Sequence, residues 1–282
     1  MGWHFFVYNY GMTIFKEQTI EIDQNDINSW YPMLALPCYD QSITEPTVMS
    51  LIRTVMRFRE IGLKFSICTM SDSLITRARN QMVAKFMANK EFTHIMFIDC
   101  DLGFNEDDII KLLWHDKDVA TAAYPIKDIN WNLVAESAKN GVTPENLLEN
   151  SVRFVVNTVK DSGEVVRVDK GAIQVYDAGT GFMLIKREVI ERLIERYPEM
   201  YYKDDTGALK EEEREYAYAF FNSYIDPETK RFLSEDYGFC RYLQEIDGEI
   251  WTDPSIEMTH LGRMKYKGTM LNWLEKNAKP AS

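Results

Sequence analysis

Asp99 and Asp101, one residue apart on either side of Cys100, follow directly on the apolar run Ile95-Met96-Phe97-Ile98. Two carboxylates at that spacing repel each other unless a cation lies between them. Hard oxygen ligands suit Mg²⁺ or Mn²⁺, which in turn commonly hold substrate phosphates. The same residues also read as plain turn chemistry, with Asp99 capping the turn and Asp101 opening the loop before the next helix. The motif alone does not choose between the two.

The surrounding pattern says what must position these acids. Four consecutive apolar residues before Asp99 predict a parallel strand covered on both faces, and such strands present functional groups at their carboxyl ends. Upstream, Met33-Leu34-Ala35-Leu36 predicts a short buried strand stopped by Pro37. Thr44-Glu45-Pro46 then starts a helix, with Val48, Leu51, Ile52, Val55 and Phe58 at helical spacing. Leu63 to Met70 predicts a second strand, followed by a helix with the stripe Ile75, Ala78, Met82 and Phe86. After the strand ending at Asp99, Asn105-Glu106-Asp107-Asp108 opens a further helix, and Val119 to Ala123 predicts a fourth strand ended by Tyr124-Pro125. Alternating strands and helices with short connections are the mark of a parallel sheet with right-handed crossovers.

The second half has a different texture. Val152 to Val159, Glu164 to Val168 and Ile173 to Tyr176 read as short antiparallel strands, and Asp177-Ala178-Gly179-Thr180-Gly181 as a flexible turn. Phe182 to Ile185 reads as a strand, Arg187 to Tyr197 as a helix, and the charged stretch Lys203 to Glu215 as a solvated loop or exposed helix. Tyr218 to Ile225 predicts a strand, Ser234 caps a helix to about Ile246, and Glu249 to Thr252 predicts another strand. Ile256 to His260, a turn at Gly262 and a helix from about Thr269 to Asn277 close the chain. The expected organisation is an extension over 1–30 packed on the main domain, one domain over 31–268, and a helix and tail over 269–282.

With 45% apolar and 27% charged residues, the composition is neither that of a disordered chain nor that of a membrane protein. No apolar run approaches the roughly 18 to 20 residues of a spanning helix, so no membrane insertion is expected, and a cytoplasmic setting is. The net charge of −12 counts against broad affinity for nucleic acid or anionic lipid. Cys38, Cys68, Cys100 and Cys240 are scattered, which indicates neither a disulfide framework nor a zinc knuckle.

Taken together and in order, Asp99-Cys100-Asp101, Gly179-Thr180-Gly181-Phe182-Met183-Leu184-Ile185, Ser234-Glu235-Asp236-Tyr237 and Met258-Thr259-His260 resemble nucleotide-sugar-dependent glycosyltransferases of the GT-A fold, closest to the small stand-alone enzymes of viruses and bacteria. The resemblance covers roughly residues 31–268. It implies an α/β, Rossmann-like, open and mostly parallel sheet with helices on both faces and a smaller antiparallel sheet in the second half. It further implies Mn²⁺ or Mg²⁺ held by Asp101, with Asp99 on the metal or the ribose and His260 completing the metal site. The donor implied is a nucleoside diphosphate sugar. Pro37, Tyr39 and Asp40 fall where relatives hold the nucleoside, Tyr39 for stacking on the base and Asp40 for hydrogen bonds. Ser73 and Arg77, with Arg79-Asn80 close by, open the helix that would reach the diphosphate. Cys100 lies within the acidic motif, Gly181 in the glycine turn between donor and acceptor, and Lys267, with Lys265, in a carboxyl-terminal flap over the phosphates.

Glu235 and Asp236 resemble the acidic pair that supplies the general base in inverting members. Helical spacing sets Asp236 on the face of Cys240 and Leu243, and Glu235 on the face of Phe239 and Ile246. Spacing does not choose between them; Asp236 is the favoured base, with Glu235 the alternative. The expected activity is metal-dependent transfer of a sugar from a UDP-sugar to an acceptor hydroxyl, with inversion. A retaining transferase, a nucleotidyltransferase and a silent nucleotide-sugar-binding module are the alternatives. The acceptor is a glycan or another hydroxyl-bearing molecule, nucleic acid included, and the sequence carries no signal for its identity or for the oligomeric state.

Overall fold

In the computed structural model, which describes residues 3–6, 19–149, 152–157, 167–264 and 270, a hairpin of β1 (Trp3–Phe6) and β2 (Thr19–Ile22) precedes helix α1 (Gln24–Ser29). Asp23 caps α1 by accepting the Asn25 and Asp26 N–H groups, and Ile20, Ile22 and Ile27 bury their side chains in the main core. The alternating series is then β3 (Pro32–Pro37), α2 (Glu45–Ile61), β4 (Ser66–Met70), α3 (Ile75–Ala88), β5 (His94–Ile98), β6 (Leu102–Gly103), α4 (Asp108–His115) and β7 (Val119–Thr121). As expected from the sequence, Thr44 takes the N-cap position of α2. Helix α5 (Trp131–Lys139) and the short strands β8 (Val156–Asn157), β9 (Val168–Asp169), β10 (Ala172–Val175) and β11 (Asp177–Ala178) follow. The chain continues with β12 (Phe182–Lys186), α6 (Arg187–Arg196), α7 (Glu211–Arg214), β13 (Tyr224–Ile225), β14 (Phe232–Leu233), α8 (Glu235–Gln244), β15 (Ile250–Thr252) and β16 (Thr259–His260). None of the described helices is long and apolar enough to cross a membrane.

The central sheet has eight strands in the order β4-β3-β5-β12-β7-β15-β10-β9. β4, β3 and β5 are parallel neighbours, and β7 pairs parallel with β15. β12 enters antiparallel between β5 and β7, and β10 pairs antiparallel with both β15 and β9. The α/β class with a mostly parallel sheet is therefore as the sequence predicts. What alternation alone did not reveal is that β12, from the second half, sits at the centre of the first-half sheet. Its neighbours are fixed by tertiary pairing, not by chain order.

The continuous apolar runs of β3 and β5 are explained by two cores, because successive side chains on a strand point to opposite faces. Leu34, Leu36, Met96 and Ile98 pack on one face with Phe58 of α2 and Ile109, Leu112 and Leu113 of α4. Met33, Ala35, Ile95 and Phe97 pack on the other with Met82 and Phe86 of α3, Val189 and Leu193 of α6, and Phe239 and Leu243 of α8. Phe239 is fully buried and stacks on Phe221 at 4.6 Å, so its truncation to Ala costs about 3–5 kcal/mol.

Several local expectations are corrected. Tyr218 to Ile225 is not one strand: only Tyr224–Ile225 is strand, Tyr218 makes an isolated antiparallel bridge to Tyr201, and Phe220 and Phe221 insert into the core. The charged stretch 203–215 is docked on α3. Lys85 bonds Glu213 at 2.9 Å, Gln81 donates to Asp204 and Thr206, and Leu209 is buried. Asp177-Ala178 is buried strand, not flexible turn, because Asp177 lies fully buried against the Arg241 guanidinium at 2.6 Å. The helix expected from Thr269 to Asn277 falls almost wholly outside the described residues, as do Lys265, Lys267 and most of the predicted strand Glu164 to Val168.

Candidate functional site

The carboxyl ends of β3, β5 and β7 converge on one edge of the sheet, and the acidic motif lies at its middle. β5 ends at Ile98, and the Asp99 N–H then donates to the Gly181 carbonyl at 2.8 Å, which ties the motif to the turn before β12. The loop is held on its other side by Thr44, whose N–H donates to the Cys100 carbonyl at 2.8 Å. β16 then lies antiparallel along β6, with His260 opposite Leu102 and the Leu261 N–H donating to the Asp101 carbonyl at 2.9 Å. A strand more than a hundred and fifty residues downstream is thus stitched to the residues directly after Asp101.

That pairing sets His260 against Asp101. Since a carbonyl can only accept, the 2.6 Å contact between His260 Nδ1 and the Pro125 carbonyl places a proton on Nδ1. The other ring nitrogen, Nε2, stands 3.4 Å from Asp101 Oδ1. In the neutral ring Nε2 carries a lone pair, and a lone pair facing a carboxylate is stable only with a proton or a cation between them. The Lys127 ammonium bonds the second oxygen of Asp101. Burial acts to raise the Asp101 carboxyl, but His260 and Lys127 outweigh it and hold it at about 2.

Asp99 points elsewhere. Its Oδ1 accepts from Arg79 Nη2 at 2.9 Å, and Arg79 Nε lies 3.6 Å from Glu235 Oε1, so one guanidinium spans the motif and the start of α8. Arg79 is 3% exposed, with its head 5.4 Å from the Phe97 ring centroid. Burial opposes its charge, yet Asp99 and Glu235 keep it raised above the ordinary arginine value. Burial raises the Glu235 carboxyl, with Arg79 opposing and Asp236 adding to the rise. Asp236 itself accepts the Ser234 hydroxyl and the Tyr237 N–H.

Tyr124 fills the space between these groups. Its hydroxyl accepts the Gly181 N–H at 3.3 Å, and its ring meets His260 edge-on at 5.3 Å. Burial, then the Asp99 charge, push its phenol well above the usual range. Gly181 is required by this crowding, because a Cβ there would stand 2.8 Å from Asp99 Oδ2 and 2.9 Å from the Tyr124 ring.

The remaining predicted residues take varied places. Pro37 is buried at the end of β3, Tyr39 is 72% exposed beyond it, and Asp40 is an exposed turn residue bonded by Ser42. Ser73 is exposed before α3. Arg77 forks onto Asp72 at 2.6 and 2.7 Å, away from Asp99. Of the two arginines it is Arg79, not Arg77, that reaches the acidic motif. Position 79 shares the stripe of Ile75, Ala78, Met82 and Phe86, and a charged residue on a core-facing stripe is the signal that it meets a buried acid. Asn80 pins α3 to the Phe221 backbone through both ends of its amide, at 2.9 Å each. Tyr124 and Lys127 carried no motif of their own. Trp251 is 3% exposed and belongs to the sheet interior.

Among the described residues no cluster of three or more histidine, cysteine or acidic side chains is arranged to hold a metal. Asp101 and His260 form a two-membered set, and Asp99 is engaged by Arg79. The pair fits a divalent cation. A histidine ligand commonly donates its other N–H to a backbone carbonyl, as His260 does, and a 3.4 Å separation admits an ion about 2.1 Å from each atom.

No protein-family model matches the chain, and no curated protein matches it. Among solved structures it is similar to the crystal structure of A197 from STIV, with a TM-score of 0.45 and 16% identity over 83% of this chain and 86% of that one.

Proposed function

We propose that this protein is a divalent-cation-dependent glycosyltransferase that moves a sugar from a nucleoside diphosphate sugar, a UDP-sugar, to an acceptor hydroxyl with inversion. The observation that carries the reading is His260: its Nδ1 proton is committed to the Pro125 carbonyl while Nε2 faces the Asp101 carboxylate at 3.4 Å, at the carboxyl ends of the sheet strands. Asp101 and His260 would hold Mn²⁺ or Mg²⁺, which when bound offsets the negative charge that builds on a departing diphosphate. Tyr39, exposed at the end of β3, is free to stack on a base, with Asp40 beside it to accept hydrogen bonds. Arg79 orients Asp99 and Glu235 from within the core. Asp236 takes the acceptor proton: Ser234 and the Tyr237 N–H hold one of its oxygens, which aims the carboxylate, whereas Glu235 is engaged by Arg79.

The test combines calorimetric titration of Mn²⁺ and UDP with hydrolysis and transfer assays over a panel of UDP-sugars. Asp101→Ala and His260→Ala are expected to weaken Mn²⁺ binding at least about tenfold, the usual cost of losing a ligand-shell group. Asp236→Asn is expected to retain UDP and lose turnover. Full activity in Asp101→Ala, or neither nucleotide binding nor turnover in the unaltered protein, overturns the proposal.

A second reading has its own observation. Lys127 on Asp101 and Arg79 on Asp99 already bring positive charge to the motif, which favours a nucleotide-sugar-binding module that holds phosphates with side-chain cations. UDP binding that is indifferent to chelators and is accompanied by no turnover selects that reading.

A further inference from the structure

Cys38 and Cys100 stand at matching positions on neighbouring strands. The register of β3 and β5 pairs Pro32 with His94 and Ala35 with Phe97, and the same 62-residue offset carries Cys38, one residue past β3, opposite Cys100 in the acidic loop. Adjacent strands run about 4.8 Å apart, inside the Cα separation a disulfide spans. The two Sγ atoms are 3.0 Å apart, while both residues are free thiols. A shared soft metal fits this distance poorly: two sulfurs held tetrahedrally at about 2.3 Å from zinc stand about 3.8 Å apart. Both backbones are anchored, Cys38 through its N–H to Met70 at 2.7 Å and Cys100 through its carbonyl from Thr44 at 2.8 Å, so side-chain rotation alone would close most of the gap.

We propose that Cys38 and Cys100 are a reversible thiol–disulfide pair, a covalent latch between the loop after β3 and the Asp99-Cys100-Asp101 loop, oxidised by a small-molecule disulfide. Cys100 is half-buried and Cys38 is 6% exposed, so the incoming reagent meets Cys100 first. The Cys100 thiolate, its proton given to solvent, attacks one sulfur of the reagent and expels the other as a thiolate. Cys38, losing its own proton, then attacks the Cys100 sulfur, forms the Cys38–Cys100 bond and expels the second thiolate. Two thiols lose two electrons and two protons, and the reagent is reduced to two thiols. Cys240 is buried beneath the Ala178 carbonyl and Cys68 lies on β4, and neither takes part. The latch does not depend on what the site binds, so it stands or falls separately from the transferase reading.

The test equilibrates the full chain with oxidised and reduced glutathione at mildly alkaline pH, blocks free thiols and maps the peptides without reduction. The expected result is one intramolecular cross-link joining Cys38 to Cys100, with Cys68 and Cys240 alkylated. A rise in Tm of about 8 °C should accompany it and be reversed by dithiothreitol, as constraint of a loop of this length predicts. Cys38→Ser and Cys100→Ser each abolish the link, and Cys68→Ser leaves it. Cys38 and Cys100 both alkylated across the whole series, a stable mixed disulfide with glutathione at Cys100, or a link that uses Cys68 or Cys240 overturns the proposal.

Discussion

Replacing Arg79 by Met keeps the length and most of the apolar stem of the side chain but removes the charge that joins Asp99 to Glu235. The guanidinium is 4% exposed at its side chain, 2.9 Å from one carboxylate and 3.6 Å from the other. Breaking a buried pair by deleting one partner costs about 3–5 kcal/mol, since it leaves the other charge desolvated and unmatched. Asp99 retains 27% of its side-chain exposure and recovers some hydration, which sets the expectation at the lower end, about 3 kcal/mol or a fall in Tm of about 6 °C. The loss should also depend on pH. Burial raises the Glu235 carboxyl in the folded protein and Arg79 opposes that rise, so without Arg79 the group moves further up. A carboxyl raised by folding binds its proton more tightly in the native state than in the unfolded chain, and stability then falls as pH rises past the ordinary carboxylate value. The Met variant should therefore recover part of its deficit between pH 7 and pH 5. Thermal unfolding at both pH values checks this, with Arg77→Met as the comparison: the Arg77 side chain is 39% exposed and pairs with Asp72 at the surface, so its loss should cost far less than that of Arg79. An Arg79→Met protein as stable as its parent at pH 7, or one whose deficit is unchanged at pH 5, would refute the reasoning.

Gly181→Ala should lower stability by about 1–3 kcal/mol, seen as a lower Cm in urea, because the new methyl group meets both Asp99 and the Tyr124 ring within 3 Å. Lys127→Met should strengthen Mn²⁺ binding about two- to fivefold by calorimetry, since a partly exposed ammonium competing for Asp101 is worth roughly 0.5–1 kcal/mol. His115→Gln should cost about 3 kcal/mol, because His115 and Asp253 form a buried pair at 2.9 Å. It should also move the acid-unfolding midpoint to higher pH. Burial acts to raise Asp253, but His115 and Ser255 outweigh it and hold it low, so it contributes stability above the unfolded carboxylate value and loses it as pH falls through the folded one.

The sequence by itself determined the alternating first half, the two-faced burial of β3 and β5, and the position of Asp99 and Asp101 at a strand end. Apolar periodicity and turn residues act over a few positions, and a local signal suffices for them. The helix starts at Thr44 and Ser234 were legible for the same reason. The insertion of β12 between β5 and β7, the pairing of β16 with β6, and the docking of the charged stretch 203–215 on α3 were decided only in three dimensions, because they depend on contacts between distant segments. The same holds for the side-chain partners. Which of Arg77 and Arg79 meets Asp99 is a matter of helix rotation against the sheet, and the place of Lys127 and Tyr124 beside Asp101 and His260 follows from where the loop after β7 crosses the strand ends. An acid pair one residue apart is a property of the chain. The cation or proton that each acid faces is a property of the fold, set by burial and by the strands that pack across it.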